Sequence, residues 1–304
     1  MMISQRRGAL ICFAFATALM APFCISTAAE ESPTSLQLVQ QSGTLQVALY
    51  DAFPPYSSKR AGRPAGIDVD IAQALATELG LNLKLRLFAA DENMGDDLRN
   101  NLWKGHYLGG GVADVMMHVP ADPEFAAKED KVVFFGPYFR EAVAVAHDTQ
   151  KIESVETPLV LSGHKVGVEV DSISDYYLSG AFNGRLRTAA VRFTTARDAV
   201  KAFAAGEVDA VMAPRGELQG LIKEVGLQDL AYDEQELVGM FRTAWDLGMA
   251  VKRHADDSLL DAVESAMVKL RERGTLADIF KRHGVAYVAP SVDRLARVAP
   301  QEDD

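Results

Sequence analysis

GTLQVALYDAFPPYSSKRAGRPAGIDVDIAQALATELGL, residues 43–81, is the stretch whose reading decides the fold. Leu45, Val47 and Leu49 alternate with smaller or more polar neighbours, which predicts a short buried strand over Thr44–Tyr50. Phe53-Pro54-Pro55-Tyr56 follows directly. A proline disfavours helical backbone in the residue before it, and two in succession stiffen the loop that carries both aromatic rings. Gly66 permits a tight turn, and Asp68 and Asp70 then fall in the first turn of a helix, where the dipole favours negative charge. Ile71, Leu75 and Leu79 recur at helical spacing until Gly80 stops the run. Strand, rigid aromatic loop and helix make one βα unit of a sheet whose loops at the strand ends border a cleft.

Upstream, Met1–Ala29 has Arg6 and Arg7, an apolar segment from Ala9 to about Phe23, and the small residues Ser26-Thr27-Ala28-Ala29. A basic start, an apolar centre and a small-residue end predict a secretory signal peptide over residues 1–29 and a periplasmic destination. The apolar run falls short of the ~20 residues a membrane span needs, and Pro22 interrupts it. Both cysteines, Cys12 and Cys24, lie in this segment, so the remaining chain has no disulfide and relies on its core. Removing Arg6 and Arg7 leaves 29 basic against 42 acidic residues, a net charge of −13. That balance argues against nucleic acid and anionic membranes as partners. Residues 30–42 read as a flexible polar leader.

Downstream, Asn82–Phe88 predicts a second alternating strand. Asp91–Asp97 (DENMGDD) has oxygen-bearing side chains but Gly95 where a third calcium ligand belongs, and no Glu closes the loop. No histidine or cysteine spacing suits a transition metal, so no metal or cofactor is expected. A helix over Asp96–Tyr107 leads through Gly109–Gly111 to a strand, Val112–Met117. Trp103 and Tyr107 read either as core or as cleft wall, and His106 as a helix-end residue. His118 stands at a strand's carboxyl end, where ligands gather. Further strands are expected at Ala142–Ala146, His164–Val168, Glu207–Ala213, Leu227–Tyr232 and Ala244–Val251. Helices are expected from about Ser172, from the capping box at Thr195-Ala-Arg-Asp198, over Ser258–Arg273, and from Thr275.

The order G-T-L-x-V-A, F-P-P-Y, G-I-D-V-D-I-A-x-A-L-A-x-E-L-G-L, closed by G-T-L-A-x-I-F-x-x-H-G at Gly274–Gly284, resembles the periplasmic solute-binding proteins of family 3, the amino-acid type. The resemblance runs from Gly43 to Gly284. It implies an α/β, two-lobed (type II) binding protein: each lobe a mixed, mainly parallel sheet flanked by helices, with two hinge crossings. Lobe one would be residues 43–147 and 245–284, lobe two residues 148–244, and 285–304 a tail. Such proteins close on a small ligand and deliver it to an ABC permease in the inner membrane. In amino-acid binders an arginine forks onto the α-carboxylate; counting back from Pro137-Tyr138, that position holds Lys128. The aspartate that holds the α-amino group is replaced by Pro214, followed by Arg215. Small polar residues open the second lobe's first helix, here Ser172 and Ser174, but Asp171 stands near the expected glycine. Losing both halves of the charge pair points to a ligand other than a plain α-amino acid.

The predicted ligand contacts are Phe53, Tyr56, Asp68, Trp103, Tyr107, His118, Lys128 and Tyr138 from lobe one, and Ser172, Ser174 and Arg215 from lobe two. The rings would enclose an apolar body, Lys128 and Arg215 would balance an anion, and His118 would hydrogen-bond. The expected protein is a monomeric receptor without catalytic residues. Two alternatives share the fold: a periplasmic partner of a quinoprotein methanol dehydrogenase (MoxJ/XoxJ-type), compatible with the lengthened WKGHYLGGG segment, and an enzyme resembling the cyclohexadienyl dehydratases.

Overall fold

The computed structural model describes residues 32–240, 242–254, 256–292 and 295; the expected signal peptide lies outside them. The first described element is a helix, α1 (Ser35–Ser42), where the sequence suggested a loose leader. Thr34 and Gln37 form a reciprocal capping box. Ser35 ties the helix down, its N–H and hydroxyl reaching the Asp256 carboxylate at 3.0 and 2.8 Å. These hydrogen bonds, with those from Ser258, hold the Asp256 carboxyl well below its usual range.

The opening unit folds as its periodicity requires: β1 (Thr44–Tyr50), a small hairpin of β2 (Ser58–Arg60) and β3 (Arg63–Ala65), then α2 (Ile67–Glu78) and β4 (Asn82–Phe88). Next come α3 (Met94–Leu98), a π-helical turn over Arg99–Trp103, β5 (Val115–Pro120), α4 (Pro123–Ala126) and β6 (Val132–His147). A 3-10 turn at Pro158–Leu161 precedes β7 (Val166–Glu169), α5 (Ile173–Gly184), β8 (Ala190–Phe193), α6 (Ala196–Ala204), β9 (Ala210–Pro214), α7 (Arg215–Val225) and β10 (Ala231–Glu234). The chain returns through β11 (Ala244–Lys252) and ends in α8 (Ser258–Glu272) and α9 (Thr275–Arg282).

The strands run β4-β1-β5-β11-β6-β9-β7-β8, with β10 also on β6. β1 is parallel to β4 and β5, and β7 is parallel to β8 and β9, while β6 and β11 run antiparallel to their neighbours. β6 serves both ends of this arrangement. Its residues Val132–Ala142 pair with β11, and Val143–His147 pair with β9. Each end has its own core. Leu45, Val47 and Leu49 pack with Ile71, Leu75, Met267 and Phe280; Val211 packs with Val200, Leu218 and Leu221 around the other end. The two ends repeat one device. Asp114 accepts the Gln46 N–H at 2.8 Å as β1 begins, and Asp209 accepts the Lys165 N–H at 3.0 Å just before β7. The paired aspartates therefore fasten the start of a neighbouring strand.

Three expectations shift. The helix over Asp96–Tyr107 ends by Trp103, where its last turn loosens to π geometry and Gly105 follows with φ +86. The strand expected at Ala142–Ala146 is only the end of β6, which begins at Val132 and carries a bulge over residues 136–138. The strand expected at Leu227–Tyr232 is β10, a few residues later.

Candidate functional site

A cavity of about 730 Å³ opens beyond the carboxyl ends of β1 and β5, within the range of small-molecule sites. Its walls are mostly apolar, including Phe53, Met94, Pro120, Ile173, Trp245 and Leu247. One wall is set by backbone irregularity. Met117 pairs with Met249 and Val119 with Gly248, leaving His118 as an extra residue with φ +61. Across β11, Phe139 pairs with Leu247 and Phe135 with Met249, so residues 136–138 bulge opposite the same Gly248. A Cβ on Gly248 would stand 2.9 Å from the Phe135 carbonyl oxygen, so glycine is what lets the β6 bulge approach. Bulges re-aim side chains, and these two turn His118 and Tyr138 onto one carboxylate.

That carboxylate is Asp68, fully buried in the first turn of α2. Its Oδ2 lies 2.9 Å from His118 Nδ1, and its Oδ1 accepts the Tyr138 hydroxyl at 2.8 Å. Both carboxylate oxygens are satisfied inside the protein, so Asp68 and Tyr138 form a second layer behind His118. Burial and the nearby Asp68 charge push the Tyr138 hydroxyl far above its usual pKa. The His118 ring packs against Phe53, centroids 4.9 Å apart, and against Tyr56 at 4.4 Å. Phe53 and His118 thus present one braced surface to the cavity.

A second junction lies where the two cores meet. The Tyr56 hydroxyl donates to Glu141, whose carboxylate also accepts the Gly216 N–H at 3.1 Å and the Ala142 N–H at 3.0 Å. Pro55 abuts Gly220 one turn further along α7. Burial pushes the Glu141 carboxyl up despite these donors.

Among the acidic groups on the walls, most have a partner. Asp51 is paired with Lys59 at 2.6 Å, Asp122 with Arg242 at 2.7 Å, and Asp246 with Arg140 at 3.2 Å. Glu217 differs. It is 8 % exposed, lines both this cavity and a neighbouring one of about 490 Å³, and makes no side-chain hydrogen bond among the described residues. Burial first, then the Glu169 and Glu141 charges, push its carboxyl up to about 8.

Of the sequence-predicted contacts, Phe53, His118 and Ser172 line the cavity. Ser172 is also the N-cap of α5, accepting the Asp175 N–H. Tyr56, Asp68 and Tyr138 stand behind that wall. Ser174 is fully buried, and its hydroxyl has no hydrogen-bond partner. Arg215 is pinned beneath the cavity floor: Nη1 is 2.7 Å from Glu234, Nη2 donates to the Arg140 carbonyl, and the guanidinium lies 5.9 Å from the Phe139 ring centre. Three positions fall elsewhere. Trp103 packs on the core beside Leu98 and Met116; Tyr107 is 87 % exposed and stacks on His106; Lys128 is exposed just past α4. The sequence reading missed Glu217, Trp245 and Arg242. A first-turn glutamate following Gly216 carries no local mark of burial; Arg242 sat in a stretch read as a crossing, and Trp245 where that crossing meets the expected strand Ala244–Val251.

Residues 45–103 match the sequence profile of the bacterial extracellular solute-binding proteins, family 3. The L-cystine-binding protein TcyJ of Escherichia coli strain K12 is 26 % identical over 264 residues, which cover 86 % of this chain and 89 % of that protein. An ancestral cationic amino acid solute-binding protein aligns with a TM-score of 0.65 at 20 % identity, over 83 % of this chain and all of that one. An amino-acid ABC transporter substrate-binding protein from Streptococcus pneumoniae, bound to L-arginine, gives 0.57 at 20 % identity over 84 % of this chain and 100 % of its own. The second substrate-binding domain of Lactococcus lactis GlnP, in its open conformation, gives 0.58 at 20 % identity over 79 % of this chain and 95 % of its own. The fold is that of the two-lobed periplasmic binding proteins.

Proposed function

We propose that this chain, a relative of the family 3 solute-binding proteins, is an extracytoplasmic receptor of the amino-acid ABC transporter type. It closes on a small ligand other than a plain α-amino acid and presents it to a membrane permease. The observation that carries the reading is the apolar cavity of about 730 Å³ walled by residues from both cores, with Phe53 and His118 on one side and Ser172, Ile173 and Glu217 on the other. A ligand there touches both lobes at once, so its contacts are complete only in the closed state. The departure from amino-acid binders rests on Pro214 in the cavity wall, Lys128 outside it, and Arg215 already engaged below it. Binding, not turnover, is the activity proposed. Among the described residues no helix is long and apolar enough to cross a membrane. The quinoprotein-partner alternative draws no support from these relatives.

The test is thermal unfolding of the protein from Glu30 onward against a broad metabolite panel. A ligand at 100 times its dissociation constant adds about 2.7 kcal/mol. Phe53→Ala should remove the shift from any hit, and Tyr107→Ala should leave it intact. A panel without shifts would overturn the receptor reading.

A further inference from the structure

The walls of the two adjoining cavities are nearly neutralised by their own ion pairs, with two acids left over. Asp51, Asp122, Asp246 and Glu224 are matched by Lys59, Arg242, Arg140 and Arg197. Glu169 faces the smaller cavity and accepts only the Ala196 N–H at 3.1 Å. Glu217, which lines both cavities, accepts no hydrogen bond among the described residues. A carboxylate buried to this degree without a donor is strongly unfavourable. Among the described residues nothing in its own shell relieves it: Glu169 and Glu141 add like charge, and the guanidinium of Arg215, two positions earlier, is held by Glu234 and the Arg140 carbonyl. The remaining cation on these walls, Arg60, is exposed in the hairpin at the rim of the smaller cavity.

We propose that Glu217 anchors an organic cation, a protonated amine or guanidinium without an α-carboxylate, whose apolar body fills the larger cavity; this rests on the solute-binding reading above. The N–H donors of such a group supply both the charge and the hydrogen bonds that the carboxylate lacks. The body meets Phe53, Ile173, Trp245 and Leu247. An α-carboxylate has no free fork to receive it: Arg242 is engaged with Asp122 and Arg215 is out of reach. In the ligand-free protein at pH 7 the raised Glu217 carboxyl carries its proton, and the incoming cation displaces it. With the carboxyl pushed up to about 8, binding at pH 7 releases a proton to solvent.

The experiment is titration calorimetry at pH 7 in two buffers of different ionisation enthalpy, on wild type and Glu217→Gln. The probes are phenethylamine, hexylamine and agmatine, the neutral counterparts 2-phenylethanol and 1-hexanol, and L-phenylalanine. At least one amine or guanidine should bind roughly 10-fold or more tighter than its neutral counterpart or amino acid, with net release of a proton. Glu217→Gln, checked by circular dichroism for an unchanged fold, should weaken that cation roughly 10- to 100-fold, end the proton release, and leave the neutral counterpart unaffected. Equal binding of cation and neutral isostere, retention of the preference in Glu217→Gln, or no binding by any of these cations would overturn the proposal. If neutral or anionic metabolites from the thermal panel still bind, only this inference falls. If nothing on that panel binds, the receptor reading falls with it.

Discussion

Substitution of Gly220 by alanine separates the two-lobed mechanism from a rigid molecule. A Cβ built on Gly220 would stand 2.5 Å from Pro55 Cγ and 3.2 Å from Pro55 Cδ. Carbon atoms pack best at about 3.5–4.0 Å, so α7 and the loop must part by about 1 Å. The loop has little freedom to yield, because the Pro55 and Tyr56 carbonyls accept the Ile67 and Asp68 N–H groups at 3.0 and 2.9 Å. α7 is held on its other side by Leu218 and Leu221 in the second core. Relief therefore comes from separating the cores, at the expense of three bonds that α7 makes across the junction. These are Gly216 N–H to Glu141 at 3.1 Å, Lys223 to the Arg282 carbonyl at 2.7 Å, and Gln219 to the Ala286 N–H at 2.9 Å. Overpacking costs about 1–3 kcal/mol, which lowers the closed-to-open ratio roughly 5- to 150-fold. The chain from Glu30 onward is cysteine-free, so paired labels at Gln73→Cys on α2 and Lys201→Cys on α6 report the separation directly. Gly220→Ala should lengthen that distance, while the urea midpoint holds or rises slightly from the roughly 1 kcal/mol that alanine adds to a helix. An unchanged distance together with a midpoint lowered by the full cost would refute the reasoning, since the strain would then fall on a core that does not open.

Two further substitutions test the wall and the partition. Asp68→Ala strands the Tyr138 hydroxyl and His118, each within 2.9 Å of the lost oxygens, and should cost about 3 kcal/mol or more in urea unfolding; a loss below about 1 kcal/mol would show that the buried network does not hold the bulges. Glu217→Gln should stabilise the ligand-free protein at pH 8 by on the order of a few kcal/mol and leave it nearly unchanged at pH 5. A carboxyl raised from 4.5 to about 8 binds its proton more strongly when folded, so its penalty is absent below the unfolded pKa and grows as pH rises toward 8. Parallel wild-type and variant stability curves across that window would contradict the burial of Glu217.

What the sequence discloses and what it hides divide along the range of the interaction. β1, α2 and β4 follow from periods of two and of 3.6 within single segments, and the capping residues Thr195 and Ser172 act within three residues of themselves. Asp114 and Asp209 are legible as a repeat, though their role in fastening strands needs the fold. α1 is hidden because its anchor, Asp256, lies 221 residues away. The alternation over Ala142–Ala146 discloses only the end of β6; Gly136-Pro137, residue types that usually interrupt strands, lie inside it as the bulge that turns Tyr138 onto Asp68. Lys128 misleads for a related reason: counting residues from Pro137 assigns a place in the chain, but α4 ends at Ala126 and leaves the lysine outside the cavity. Glu217 carries no mark in its neighbourhood at all. Its burial arises only because α7, β6 and the end of β7 converge.

The two hydrogen-bond networks behind the cavity differ in what they cross, and that difference orders the events of binding. Asp68, His118 and Tyr138 belong to elements sharing the first core, so the surface they brace, Phe53 and the His118 ring, is formed whether or not the molecule is closed. Glu141, Tyr56 and Gly216 join residues from opposite sides of the junction, so their bonds form only when α7 docks on the aromatic loop. In the proposed receptor a ligand would therefore meet one preorganised wall first, at little conformational cost. On the same proposal the second wall, with Glu217 on it, would be completed as α7 docks; Gly216 and Gly220 are the positions whose missing side chains let α7 come so close.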